Sequence, residues 1–113
     1  MRFAPNPNGP INIGHSRQVI LNSYFCDKYK GDLIIRFDDT DSRTKIPMKE
    51  SYKWIEEDIK WLGANVKKVV RQSSRFDVYY KYAEELIEKN NAYVCICKNF
   101  KELVDKKKEC PCR

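Results

Sequence analysis

The chain has 113 residues, 42% of them hydrophobic, which is enough for one packed core; 22 Lys+Arg against 16 Asp+Glu leave it at +6. No run approaches the roughly 18 to 20 apolar residues that cross a bilayer, and the N-terminus lacks the charged-then-apolar pattern of a secretory leader, so a cytoplasmic, membrane-free protein is expected. The positive balance favours polyanions such as nucleotides or RNA.

Met1 to Pro5 reads as a short strand, and the prolines and glycine of Asn6-Pro7-Asn8-Gly9-Pro10 demand a shaped loop after it. A helix is expected from about Gly14 or His15, with Val19, Ile20 and Tyr24 at helical spacing and Gly31 at its end. Cys26 falls inside it, where a lone cysteine behaves as a small buried hydrophobe. Leu33-Ile34-Ile35-Arg36-Phe37 is a continuous run of the kind found in buried parallel strands, and Asp38-Asp39-Thr40-Asp41 follows at its exit. Pro47 suits the first turn of a second helix carrying Met48, Tyr52, Ile55, Ile59 and Leu62, which Gly63 ends.

Val66 to Arg71 reads as a third strand. Ser74 with Asp77 resembles a capping box that opens a third helix through Phe76, Tyr79, Tyr80, Ala83, Leu86 and Ile87, ending at Asn90-Asn91. Ala92 to Cys97 is expected to be extended. Alternating strands and helices predict an α/β fold with a parallel sheet and right-handed crossovers, whose ligands bind outside the carboxyl ends of the strands.

Cys95-Ile96-Cys97 and Cys110-Pro111-Cys112 place four thiols at the two ends of a loop running from Lys98 to Glu109. Four sulfurs suit tetrahedral zinc, and cytosolic thiols are kept reduced, so metal binding fits better than disulfides; free reduced thiols are the alternative. The stretch from Lys98 to Arg113 is basic, with Lys98, Lys101, Lys106, Lys107, Lys108 and Arg113 against Glu102, Asp105 and Glu109.

His15 and nearby amides fall at a helix N-terminus, where partial positive charge welcomes phosphate, and Gly14 allows close approach of a base or sugar. Neither glycine-rich phosphate fingerprint is present. The motifs Arg2-Phe3-Ala4-Pro5-Asn6-Pro7-Asn8-Gly9-Pro10, Asn12-Ile13-Gly14-His15 and Arg36-Phe37-Asp38-Asp39-Thr40-Asp41, in this order, resemble the successive signatures of class I glutamyl-tRNA synthetases of the archaeal type. The resemblance runs over essentially the whole chain.

The resemblance implies a Rossmann-like half-core over residues 1–94 and the start of a cysteine-rich, zinc-knuckle-like extension over 95–113. It further implies ATP-dependent activation of glutamate to glutamyl-adenylate and transfer to tRNA, with Mg2+ travelling on the nucleotide and zinc in a structural role. By position in the motifs, Arg2 would pair with the glutamate side chain, Asp38 would hold the α-ammonium group, and Ala4 and Asn6 would line the amino-acid pocket. Asn12, Gly14 and His15 would face ATP, with Asn12 and His15 closest to the chemistry. Cys95, Cys97, Cys110 and Cys112 would hold the metal. An ion pair with the acidic cluster is the other use for Arg2, and loop capping the other use for Asp39 and Asp41.

One position departs from the family pattern. The tetrapeptide normally reads His-Ile-Gly-His, and Asn12 replaces the first histidine with an amide that donates a hydrogen bond but carries no charge. Losing one preorganised donor costs about 3 to 4 kcal/mol of transition-state stabilisation, so a non-catalytic paralogue serving as a nucleotide- or RNA-binding module is one alternative. A glutaminyl-tRNA synthetase fragment is another, because those enzymes share this core; Asn6 after Ala-Pro and Asp41 completing Asp-Thr-Asp favour glutamate. No Lys-Met-Ser-Lys-Ser-like loop or second half-core follows in the sequence, so the remainder of a synthetase chain is the expected partner.

Overall fold

The computed structural model describes residues 1–112, so Arg113, the last cation of the basic run and the last residue expected in the extension, lies outside the described residues. The chain divides into two compact units, Met1–Arg75 and the segment from Phe76 onward.

In the first unit, β1 (Arg2–Phe3), β2 (Leu33–Phe37) and β3 (Val66–Arg71) form a parallel sheet in the order β1-β2-β3. Arg2 pairs with Ile34 and Phe3 with Ile35; β2 runs beside β3 from Leu33–Val66 to Phe37–Arg71, with an irregularity after Leu33. The strands are joined by α1 (Ile13–Tyr29) and α2 (Lys49–Trp61).

Both helices pack on one face. Leu33, Ile35 and Phe37 alternate along β2 and are buried, whereas Ile34 and Arg36 between them are half-buried. Ile35 and Phe37 share a core with Phe3 of β1, Val19 of α1 and Ile55 and Ile59 of α2. Ile55 and Ile59 are four apart and Ser51 four before, so one stripe of α2 meets the sheet. Removing a large side chain from such a core costs about 3 to 5 kcal/mol, which makes this cluster the main support for everything mounted on the strand ends.

The helix ends differ in detail from expectation. α1 begins at Ile13 with Asn12 as its N-cap, and Lys30, not Gly31, takes the left-handed conformation at its end (φ 53°), while the Gly31 amide closes the turn onto Cys26 O at 2.8 Å. Cys26 is buried as expected, but Ile20 and Tyr24 are exposed. α2 begins at Lys49 after Met48, leaving Pro47 outside; Met48 N donates to Pro7 O at 2.8 Å and so ties the end of that loop to the segment following β1. Gly63 ends α2 with φ 78°, a conformation that favours glycine.

The second unit contains α3 (Phe76–Glu88) and α4 (Phe100–Asp105). A 3-10 turn at Ser73–Arg75 precedes α3, and Ser74 Oγ donates to Arg71 O at 3.0 Å; the capping box with Asp77 does not form. Asn90 takes a positive φ and Asn91 N donates to Leu86 O, which ends α3 where the asparagines stand. Ala92 to Cys97 is non-helical and joins no sheet, and α4 is an additional helix within the cysteine loop. None of the described residues from Phe76 onward is buried. No helix among the described residues is long and apolar enough to cross a membrane.

Candidate active site

The first unit opens a cavity of about 630 Å³ at the carboxyl ends of β1 and β2, where strands of a parallel sheet stop pairing and their loops diverge. Ala4, Asn6, His15 and Asp38 line it together, with Asn8, Gln18, Thr40, Asp41, Lys45 and Gln72. Three backbone bonds extend the sheet's geometry into these loops: Asp38 N to Pro5 O (2.9 Å), Gln72 N to Phe37 O (2.9 Å) and the Met48 bond to Pro7.

The N-terminus of α1 is closed by a reciprocal pair. His15 N donates to Asn12 Oδ1 at 3.2 Å, and Asn12 N donates to His15 Nδ1 at 3.3 Å. With Nδ1 accepting, the imidazole keeps its proton on Nε2, free to donate from the cavity wall. Phe3 meets the ring edge-on with centroids 6.3 Å apart, fixing its plane. Asn12 and Gly14 are exposed and do not line this cavity; a methyl added at Gly14 would press on the capping oxygen at 3.2 Å.

Asp38 sits at the exit of β2, and Arg36 two residues earlier grips its carboxylate with both prongs, Nε to Oδ1 at 2.7 Å and Nη2 to Oδ2 at 3.0 Å. Asn6 Nδ2 donates to Asp38 O at 2.8 Å, while Asn6 Oδ1 is buried with no protein partner. Arg2 is exposed and does not line the cavity, and the ion pair with the acidic cluster belongs to Arg36. Arg36 was legible as a contributor: a spacing of two along an extended strand points both side chains to the same side.

The other two aspartates cap. Asp39 accepts from Ser73 N (2.8 Å), Ser73 Oγ (2.7 Å) and Tyr52 Oη (2.9 Å), joining the exits of β2 and β3. Burial pulls its pKa up, but the two bonds from Ser73 and the one from Tyr52 outweigh that and hold it below the ordinary 3.8. Burial first, and then the same contact with Asp39, push the Tyr52 hydroxyl up, while Arg71, stacked 4.5 Å over its ring, pulls the other way. Asp41 accepts from Thr44 Oγ1 and from the amides of Thr44 (2.9 Å) and Arg43 (3.0 Å), which bring its carboxyl down to about 2.

Asp39 therefore stabilises the folded state fully above the ordinary carboxylate pKa, and this contribution is lost as pH falls through its lower folded value. Asp39→Asn is expected to cost about 1 to 2 kcal/mol at pH 7, the size of a lost cap and charge-assisted bond. Urea unfolding at pH 7 and pH 3 checks this: the gap between variant and wild type should narrow in acid.

In the second unit, the sulfurs of Cys95, Cys97, Cys110 and Cys112 all lie within 4.8 Å of one another. Cys110 Sγ is 3.3 Å from Cys95 and 3.5 Å from Cys97, and Cys97 is 3.5 Å from Cys112; all are free thiols. The sulfur contacts from Cys112 and Cys110 push Cys97 up to about 12, whereas the Cys112 amide, helped by Cys95, brings Cys110 down to about 7. So crowded a set cannot ionise fully on its own, and a bound cation resolves that conflict. A tetrahedral ion with bonds of about 2.3 Å would need sulfurs about 3.8 Å apart, close to the spacing present, so the four residues fit a metal of zinc's preference.

A parallel half-sheet with a polar cavity at its strand exits, beside a capped helix N-terminus, defines a half-core of the Rossmann type. Comparison with known proteins places it more closely. Residues 1–111 match the family of class I tRNA synthetases (E and Q), catalytic domain, and the chain belongs to that family. It is 56% identical to a glutamate–tRNA ligase of Methanosarcina mazei and 51% identical to those of Archaeoglobus fulgidus and Methanocaldococcus jannaschii, in each case over all of this chain. Its fold is similar to the crystal structure of a glutamate tRNA ligase from Elizabethkingia meningosepticum in complex with its amino acid, with a TM-score of 0.76 and 30% identity over 94% of this chain and 22% of that one. The chain spans about a fifth of the length of the curated relatives it matches.

Proposed function

We propose that this chain supplies the first half of the active site of a glutamate–tRNA ligase, the remainder coming from the rest of a synthetase chain. The observation that carries this reading is the convergence of Ala4, Asn6, His15 and Asp38 on one cavity. In the reaction, an α-carboxylate oxygen of glutamate forms a bond to the α-phosphorus of ATP as the bond to pyrophosphate breaks. A ribose hydroxyl of tRNA then attacks the acyl carbon and AMP leaves. Catalysis here is positioning and charge stabilisation, with Mg2+ arriving on the nucleotide.

His15 Nε2–H, the first amides of α1 and the free amide group of Asn12 are the donors for nucleotide oxygens; Gly14 keeps that approach open. Ala4 and Asn6 form the amino-acid end of the cavity. Asp38 accepts the α-ammonium group on the lone pairs that Arg36 leaves free, and the buried Asn6 Oδ1 is a second acceptor close by. Arg2 lies two residues from Ala4 on extended backbone and offers a planar fork for the side-chain carboxylate. Cys95, Cys97, Cys110 and Cys112 would hold a structural zinc, which would fix the loop that carries Lys106, Lys107 and Lys108 toward RNA. The reaction is one of translation, which puts the protein in the cytoplasm.

The test is ATP–pyrophosphate exchange by the full-length protein, run with and without tRNA. Glutamate should support exchange and glutamine should not. ATP binding without glutamate-dependent exchange or glutamyl-tRNA formation would leave a binding module and end the proposal.

A further inference from the structure

The charges on the cavity wall are answered one by one, with one exception. The Asp38 carboxylate is gripped by Arg36. The Asp41 carboxylate is taken up by its own turn, through the Thr44 hydroxyl and the amides of Arg43, Thr44 and Lys45. Those bonds arrange the turn so that the next side chain, Lys45, stands on the wall of the same cavity as His15 and Asp38. Lys45 is exposed and forms no ion pair with any described residue. The turn is anchored at its far end by the Met48 bond to Pro7, so it is held rather than free.

We propose that Lys45 binds a phosphate oxygen of the substrate in this cavity, which makes it a further substrate-binding residue for the reaction assigned above and rests on that assignment. An ammonium on a flexible stem is a point charge that suits phosphate, and an unmatched cation on a polar wall is complementary to an anionic ligand. The Asp41 turn acts on substrate only through Lys45.

The phosphate could be that of ATP or of the tRNA terminus, and the experiment separates them. In the full-length protein, Lys45→Met keeps the aliphatic volume and removes the charge, while Lys45→Arg keeps the charge. Because the side chain has no ion-pair partner, neither should shift the melting temperature. Lys45→Met should raise KM for ATP in pyrophosphate exchange about tenfold or more, the effect of one charge-assisted contact, with Lys45→Arg recovering most of it. A loss confined to transfer onto tRNA would assign the contact to the RNA phosphate. Methionine and arginine variants that both match wild type, or that lose activity equally, would overturn the proposal. Wild-type protein with no glutamate-dependent exchange would instead overturn the functional reading on which it rests.

Discussion

Replacing His15 by glutamate should leave the fold intact and lower glutamate-dependent pyrophosphate exchange by about 10² to 10³-fold or more, the cost of losing one preorganised donor with charge repulsion added. The substitution separates the two tasks of this residue. Glutamate is the residue that a capping box prefers three positions after the cap, so it can accept from Asn12 N as His15 Nδ1 does now. What it cannot do is donate to a phosphate from the cavity wall. His15→Ala also loses the acceptor for Asn12 N, the side-chain half of the reciprocal cap, at up to about 1 kcal/mol, and makes the useful contrast. Thermal melting of both variants, read beside exchange rates, checks the argument; a glutamate variant within tenfold of wild type would remove His15 from the chemistry.

Treatment with a zinc chelator, or replacing Cys97 by alanine, should unfold the second unit while the first stays folded. Cys97 lies within 3.5 Å of both Cys110 and Cys112, so its loss breaks the cluster at its centre. No described residue from Phe76 onward is buried, and a small unit without a core depends on staples. Zinc binding in small cysteine sites contributes on the order of 10 kcal/mol, far more than the exposed Lys106–Glu102 pair of α4 can supply. Wild-type protein should hold one equivalent of zinc and resist limited proteolysis between Tyr93 and Cys112. The alanine variant should hold none and be cut there readily. Equal resistance of the metal-free protein would show that the cluster is not what orders this region.

Much of the first unit was legible because its elements follow simple periodicities. β2 and β3 stand at the predicted residues, and α2 differs only where Pro47 and Met48 stay outside, its stripe of Ile55 and Ile59 meeting the core as expected. α1 was harder to pattern, since its exposed face also carries Ile20, Leu21 and Tyr24. Its left-handed end fell on Lys30 because the register of the final turn, set by the Gly31 bond to Cys26, decides which residue takes the positive φ. Ser74 and Asp77 had the spacing of a capping box but not its role. The acceptor for the adjacent Ser73 comes from Asp39, and a contact between distant positions leaves no local pattern. α4 is one short helix between cysteines that invited a loop reading.

The site was legible as a set of motifs but not as a division of labour. Asn12 and His15 looked like two independent ligands, and their three-residue spacing is equally that of a reciprocal cap. Asp38 was singled out without its partner Arg36, although strand alternation links them. Lys45 had no motif at all. It reaches the cavity only because Asp41 folds the chain back on itself.

The Asp39 clasp bears on how the protein matures. It joins residues 34 positions apart through a few exposed hydrogen bonds. Closing so long a stretch of chain costs more entropy than those bonds return unless β3 has already aligned beside β2. The strands must therefore pair before the clasp can close, and a nascent chain released before Val66–Arg71 has emerged would carry a partial sheet and a cavity lacking the wall that Gln72 supplies.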